Sequence, residues 1–108
     1  MEFQYETKTG SLRIFTPREI DECAASEMRE EADMLIDNYQ IRHLIFDFSN
    51  TEFMDSSGIG VVVGRYKGLK SRNGELCIAN VRDSVKKVFE IAGIFKVINC
   101  YKNLLEAL

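Results

Sequence analysis

The stretch His43–Lys70, HLIFDFSNTEFMDSSGIGVVVGRYKGLK, changes its hydrophobic period once, and that change decides the fold. Its opening, His43-Leu44-Ile45-Phe46-Asp47-Phe48, is nearly continuous in apolar and β-favouring residues, as in a strand buried on both faces by helices. From Ser56 to about Arg72 the period becomes helical, with Ile59, Val62, Val63 and Tyr66 at i, i+3, i+4 and i+7 set to face the core. Asn73-Gly74 reads as the helix stop.

Upstream, Phe3 to Thr9 and Leu12 to Phe15 read as two short strands around Gly10-Ser11, a pair that can supply the positive φ of a tight hairpin. From Asp21 to Tyr39, Ala24, Ala25, Met28, Ala32, Leu35 and Ile36 recur at helical steps, with Asp21 as candidate cap. Downstream, Glu75 to Ala79 is a strand and Asp83 to Ala92 a helix ended by Gly93. Phe95 to Cys100 and Asn103 to Leu108 complete the order as a strand and a short helix. Strands alternating with helices after a hairpin predict one α/β domain with a mixed, mostly parallel sheet.

A chain of 108 residues, 45% hydrophobic and 29% charged with a single proline, suits one ordered domain without a separate catalytic lobe. Net charge is -3 and the cations Lys67, Lys70, Arg72, Lys86 and Lys87 are scattered, so nucleic acid is not an expected partner. The opening MEFQYETKTG lacks a signal-peptide pattern and no apolar run reaches membrane-spanning length, so the expectation is a soluble, cytoplasmic protein with no membrane partner. Cys23, Cys77 and Cys100 are odd in number and lack ligand spacing, which points away from a metal or redox role. His43, the sole histidine, reads as a strand-edge residue.

Asp55-Ser56-Ser57 falls at the mouth of the second helix, beside unpaired backbone N–H groups and the positive end of the helix dipole. A phosphate added there would bring about −1.5 to −2 charges; Asp55 would repel it and the helix terminus would offset part of that cost. Such a modification would leave the fold standing and act on whatever docks there. The simpler reading is that Ser56 or Ser57 is the N-cap. Gly60, Gly64 and Gly68 share one side of the helix, each costing about 1 kcal/mol relative to alanine. Either the helix packs tightly on its sheet there, or it offers a side-chain-poor face to a partner.

Enzymatic patterns are missing. DSSGIG is not a GxSxG elbow, GIGVVVG lacks GxGxxG spacing, and no GxxxxGK[ST] occurs. A phosphate-accepting Asp47 would need an acidic pair at the end of an early strand to hold a cation, whereas those strands end in Thr9 and Phe15.

FMDSSGIGVVVGRYK resembles the signature of the anti-sigma factor antagonists, small bacterial STAS-domain proteins, and is most similar to their sporulation branch acting on the forespore sigma factor. The likeness extends upstream through IRHLIFDFSNTEFMDSSG and downstream through VFEIAGIFKVI. It implies a STAS domain over residues 1–108 with no cofactor and no catalysis of its own. In that family the first hydroxyl residue after the motif's aspartate is phosphorylated by a partner that is both serine kinase and anti-sigma factor; here that is Ser56. The resemblance implies that the unphosphorylated protein binds the kinase and releases sigma factor, and that a PP2C-like phosphatase restores the serine. Around Ser56 the implied docking surface comprises Glu19, Asp21, Asp55, Ser57, Gly58, Ile59, Gly60 and Gly64. The family's GEL/ID-type element is Arg18-Glu19-Ile20-Asp21 here, with arginine for glycine. Ala24-Ala25 replaces the threonine-alanine pair that often follows, removing a hydroxyl contact. Two other readings stay open: a STAS regulator of another pathway, such as general stress response or a signalling scaffold, and a metal-dependent phosphoacceptor domain.

Overall fold

The computed structural model describes residues 3–102. Its elements are β1 (Tyr5–Lys8), β2 (Ser11–Phe15), β3 (Glu19–Ile20), α1 (Glu22–Asn38), β4 (His43–Asp47), β5 (Phe53–Met54), α2 (Ser56–Lys70), β6 (Glu75–Ala79), α3 (Asp83–Ile91), a 3-10 turn (Ile94–Lys96) and β7 (Cys100–Tyr101). The main sheet runs β1-β2-β4-β6-β7, with β1 antiparallel to β2 and the other neighbours parallel. The opening hairpin turns at Gly10, φ 76°, so the mixed, mostly parallel α/β sheet expected from the sequence is present.

From β2 onward the parallel strands are laid down in one direction, and right-handed crossovers then place α1, α2 and α3 on a single face. On that face Leu12, Leu44 and Leu76 share one register row and Ile14, Phe46 and Ile78 the next; all are buried. They pack with Met28, Ala32 and Leu35 of α1, Val62 and Leu69 of α2 and Phe89 of α3.

The expectation that helices cover β4 on both faces is corrected. Ile45 points the other way, stands outside the main core cluster, and lines an open cavity of about 390 Å³ with Ser11, His43, Cys77 and Tyr101. Asp47 on that face is fully buried by a polar network instead. Arg13 donates to its Oδ2 through Nε (3.0 Å) and Nη2 (2.5 Å), Asn80 Nδ2 donates to the same oxygen (3.0 Å), and the Ser49 N–H donates to Oδ1 (2.9 Å). A buried carboxylate survives only when its lone pairs are met in this way.

Other boundaries also move. The helix α2 ends at Lys70, and Asn73 (φ 59°), not Gly74, takes the left-handed conformation. Gly74 is needed for space, because a Cβ there would lie 2.7 Å from the Arg42 carbonyl oxygen. The innermost face of α2 is Gly58, Val61, Val62 and Leu69, while Ile59, Val63 and Tyr66 are only half-buried. Gly93 has φ 72° as expected, but the strand read over Phe95–Cys100 is a 3-10 turn followed by the short β7. The helix read over Asn103–Leu108 lies outside the described residues.

Candidate functional site at the paired helix starts

Two short segments that carry no strand pattern in the sequence build the site. β3 pairs in parallel with β5, setting Glu19 against Phe53 and Ile20 against Met54 outside the main sheet. The Asp55 N–H donates to the Ile20 carbonyl at 3.0 Å, extending the ribbon. Because α1 follows β3 and α2 follows β5, the ribbon sets the two helix starts side by side. Arg18 locks it: its carbonyl accepts from the Glu52 N–H (2.8 Å) and the Phe53 N–H (3.2 Å). Its side chain pairs with Glu52 at 2.5 Å and lies over the Phe53 ring. The hydrogen bond that Arg18 donates to Glu52 holds its guanidinium above its ordinary pKa.

Each helix is capped by an aspartate. Asp21 Oδ1 accepts from the Ala24 N–H at 2.8 Å, the cap expected for α1. For α2 the cap is Asp55, whose Oδ1 accepts from the Ser57 N–H at 2.8 Å and from the Ser57 hydroxyl; neither serine caps the helix, which corrects the reading from the sequence. The side-chain and then the backbone hydrogen bond from Ser57 hold the Asp55 carboxyl below its ordinary pKa. Ser57 is half-buried and engaged, whereas Ser56 is exposed and no described side chain engages its hydroxyl. Deprotonated Asp55 therefore stands beside one free hydroxyl and one occupied one.

Glu19 and Asp21 are exposed at the neighbouring helix start, so the ribbon brings them to Asp55 and Ser56. Ile59 is half-buried and Gly60 exposed on the following turn, with half-buried Gly64 one turn beyond. Gly58 differs from its neighbours in being buried: a Cβ there would lie 2.5 Å from Met54 Sδ and 3.2 Å from Ile20 Cγ2. It lets α2 approach the ribbon and supports the surface from beneath instead of forming part of it. By contrast, a Cβ at Gly60, Gly64 or Gly68 would meet nothing within 4 Å, so these glycines do not pack the helix onto its sheet. Phe53, 54% exposed, borders Asp55, and α3, which packs on β5, carries Ile91 at 81% exposure.

His43 is an exposed strand-edge residue 3.5 Å from Glu75, and the three cysteines are free. Among the described residues no His, Cys, Asp and Glu cluster could hold a metal ion, and no helix is long and apolar enough to cross a membrane.

A STAS domain family model matches residues 2–107. The chain belongs to the STAS domain family. This STAS domain is 32% identical over 108 residues to the anti-sigma F factor antagonist of Paenibacillus polymyxa, covering 100% of this chain and 92% of that one. It is 33% identical over 96 residues to the anti-sigma-B factor antagonist of Listeria monocytogenes, covering 86% and 81%. Among solved structures, it is similar to the anti-sigma factor antagonist SpoIIAA in its unphosphorylated form, with a TM-score of 0.81, 29% identity and coverage of 92% of this chain and 87% of that one.

Proposed function

We propose that this STAS domain is a cytoplasmic anti-sigma factor antagonist whose binding surface is switched by phosphorylation of Ser56. The observation that carries the reading is the division of labour at the start of α2: Asp55 caps the helix and holds Ser57, leaving Ser56 exposed with no structural duty. Its role is regulatory. The unphosphorylated protein binds an anti-sigma factor that is also a serine kinase, displacing the sigma factor. A PP2C-like phosphatase reverses the modification.

The electrostatics support a switch at the interface. A phosphate on Ser56 would stand among the carboxylates of Asp55, Asp21 and Glu19, opposed by the first N–H groups of α2. In free protein, water screens this charge. In a complex that covers Glu19, Asp21, Asp55, Ser57, Ile59, Gly60 and Gly64, it would be buried among like charges. Burying an unpaired charge costs several kcal/mol, enough to weaken binding roughly a hundredfold or more.

Incubation with the anti-sigma factor kinase and ATP should add one phosphate at Ser56, read by peptide mass mapping. Ser56→Ala should block modification and keep binding, and Ser56→Asp should weaken binding without lowering thermal stability. A phosphate mapped to Ser57 would overturn the assignment. Relatives named for both sigma F and sigma-B make sporulation and general stress response the two candidate pathways. Which sigma factor is freed when this protein is added to each anti-sigma complex decides between them.

A further inference from the structure

We infer that the cavity at the carboxyl ends of β4, β6 and β7 binds a small phosphate monoester, its phosphate met by Arg82, Lys86 and Lys102 and its organic group by Phe95. Such binding is a property of the chain alone, whatever its regulatory partner. The cavity encloses about 490 Å³. Ser49, after β4, Arg82, after β6, and Lys102, after β7, bring its walls together from three separate segments, and Lys86 enters from the first turn of α3. This is the end of the strands at which open α/β sheets hold ligands.

The charges lining the cavity do not cancel. Arg82, Lys86 and Lys102 stand against one acid, Asp83, and among the described residues no carboxylate forms an ion pair with any of the three cations. Arg82 is anchored: its Nε donates to the Ser49 carbonyl at 2.7 Å, and its two Nη groups have no acceptor among the described residues. Burial pushes the Cys100 thiol up and the charges of Lys102 and Lys86 oppose that rise, so both ammonium groups lie near one sulfur atom of the lining. Like charges gathered around one space repel one another, and an anion between them relieves that repulsion. Three cations against one acid leave two positive charges, which the roughly −2 of a phosphate monoester matches.

The rest of the lining suits the two halves of such a molecule. α3 starts at the cavity with Arg82 at its N-cap and no side-chain cap, whereas Asp21 and Asp55 cap α1 and α2. Free N–H groups at a helix start suit phosphate oxygens, and an anchored guanidinium fork suits their spacing. The remaining wall is apolar: Phe95 and Val81 are half-buried and line the same space. Inorganic phosphate would leave that wall in water, and an organic group carried on the phosphate would cover it.

Nuclear magnetic resonance titration of the isotope-labelled full chain with phenyl phosphate, at about pH 8 where the ester is a dianion and in about 0.05 M salt, tests the assignment. The Kd should be about 1 mM or tighter and at least about tenfold below that of inorganic phosphate. Amide shifts should centre on Asn80 to Lys86 and on Cys100 to Lys102. Lys86→Gln combined with Lys102→Gln should weaken binding roughly tenfold or more with the melting temperature held. Lys67→Gln combined with Lys70→Gln removes the same charge from α2, outside this lining, and should leave the Kd within about twofold. No binding up to about 10 mM, equal affinity for inorganic phosphate, shifts centred elsewhere, or the same loss from both lysine pairs would each overturn the assignment. None of these outcomes touches the proposed antagonist function, which is read with an anti-sigma factor and not with a small anion.

Discussion

Glycine-to-alanine substitutions within α2 should change stability in opposite directions depending on which side of the helix they occupy. At Gly60 and Gly64 an added methyl meets nothing within 4 Å, so only intrinsic propensity changes. Each substitution should stabilise by about 0.8–1 kcal/mol. The double variant should then gain about 2 kcal/mol and on the order of 10 °C in melting temperature. At Gly58 the same methyl would stand 2.5 Å from Met54 Sδ and 2.7 Å from Met54 Cγ, forcing β5 or its side chain away. Overpacking of this kind costs about 1–3 kcal/mol, which outweighs or cancels the propensity gain and leaves a net loss of roughly 0–2 kcal/mol. Urea unfolding with a shared m-value separates the two cases. If Gly58→Ala stabilises as much as Gly60→Ala, the close approach of α2 to the ribbon is refuted. If Gly60→Ala destabilises, that side of the helix is packed and is not available to a partner.

Breaking the buried pair by Asp47→Ala should destabilise by about 3–5 kcal/mol in chemical denaturation, while replacing both partners, Arg13→Met with Asp47→Leu, should recover much of that loss. Asp21→Ala removes the α1 cap and should cost about 1 kcal/mol. The Asp55 carboxyl is held below its ordinary range by Ser57, so its stabilising contribution is present at neutral pH and is lost as pH falls through that lowered value. Asp55→Asn should flatten that acid limb of the stability profile. Burial pushes the Cys77 thiol up to about 11; at pH 8 it should alkylate on the order of a hundredfold more slowly in the folded than in the unfolded protein, measured by mass spectrometry.

Periodicity made the alternation of strands and helices readable, because Leu44-Ile45-Phe46 and the α1 stripe from Ala24 to Ile36 each repeat long enough to carry a period. β3 and β5 are two residues each, too short for any pattern, and they exist because their backbones pair with one another. The Asp55-Ser56-Ser57 site was legible from its position before a helix, but the choice of cap was not: three adjacent residues can all cap, and geometry selected the aspartate. The glycine spacing gave the shared side without its surroundings. Arg13, set between Leu12 and Ile14 in an apolar strand, was the overlooked signal, since a cation there must bury with a partner and Asp47 ends the neighbouring strand. The short β7 follows a 3-10 turn whose apolar residues imitate a strand.

Capping by Asp55 also bears on how such a domain can diverge after gene duplication. Because the helix does not depend on the side chain at position 56, loss of that hydroxyl carries no folding penalty, and its return needs no compensating change elsewhere. If Ser56 is the modified residue, as proposed, a copy could drift into a permanently unmodifiable form and back while its core stayed untouched. Gly58 has no such latitude, since it is wedged against Met54 and Ile20. Under the proposed function, regulatory wiring and architecture are thus written at separate positions of the same helical turn, and selection can act on one without disturbing the other.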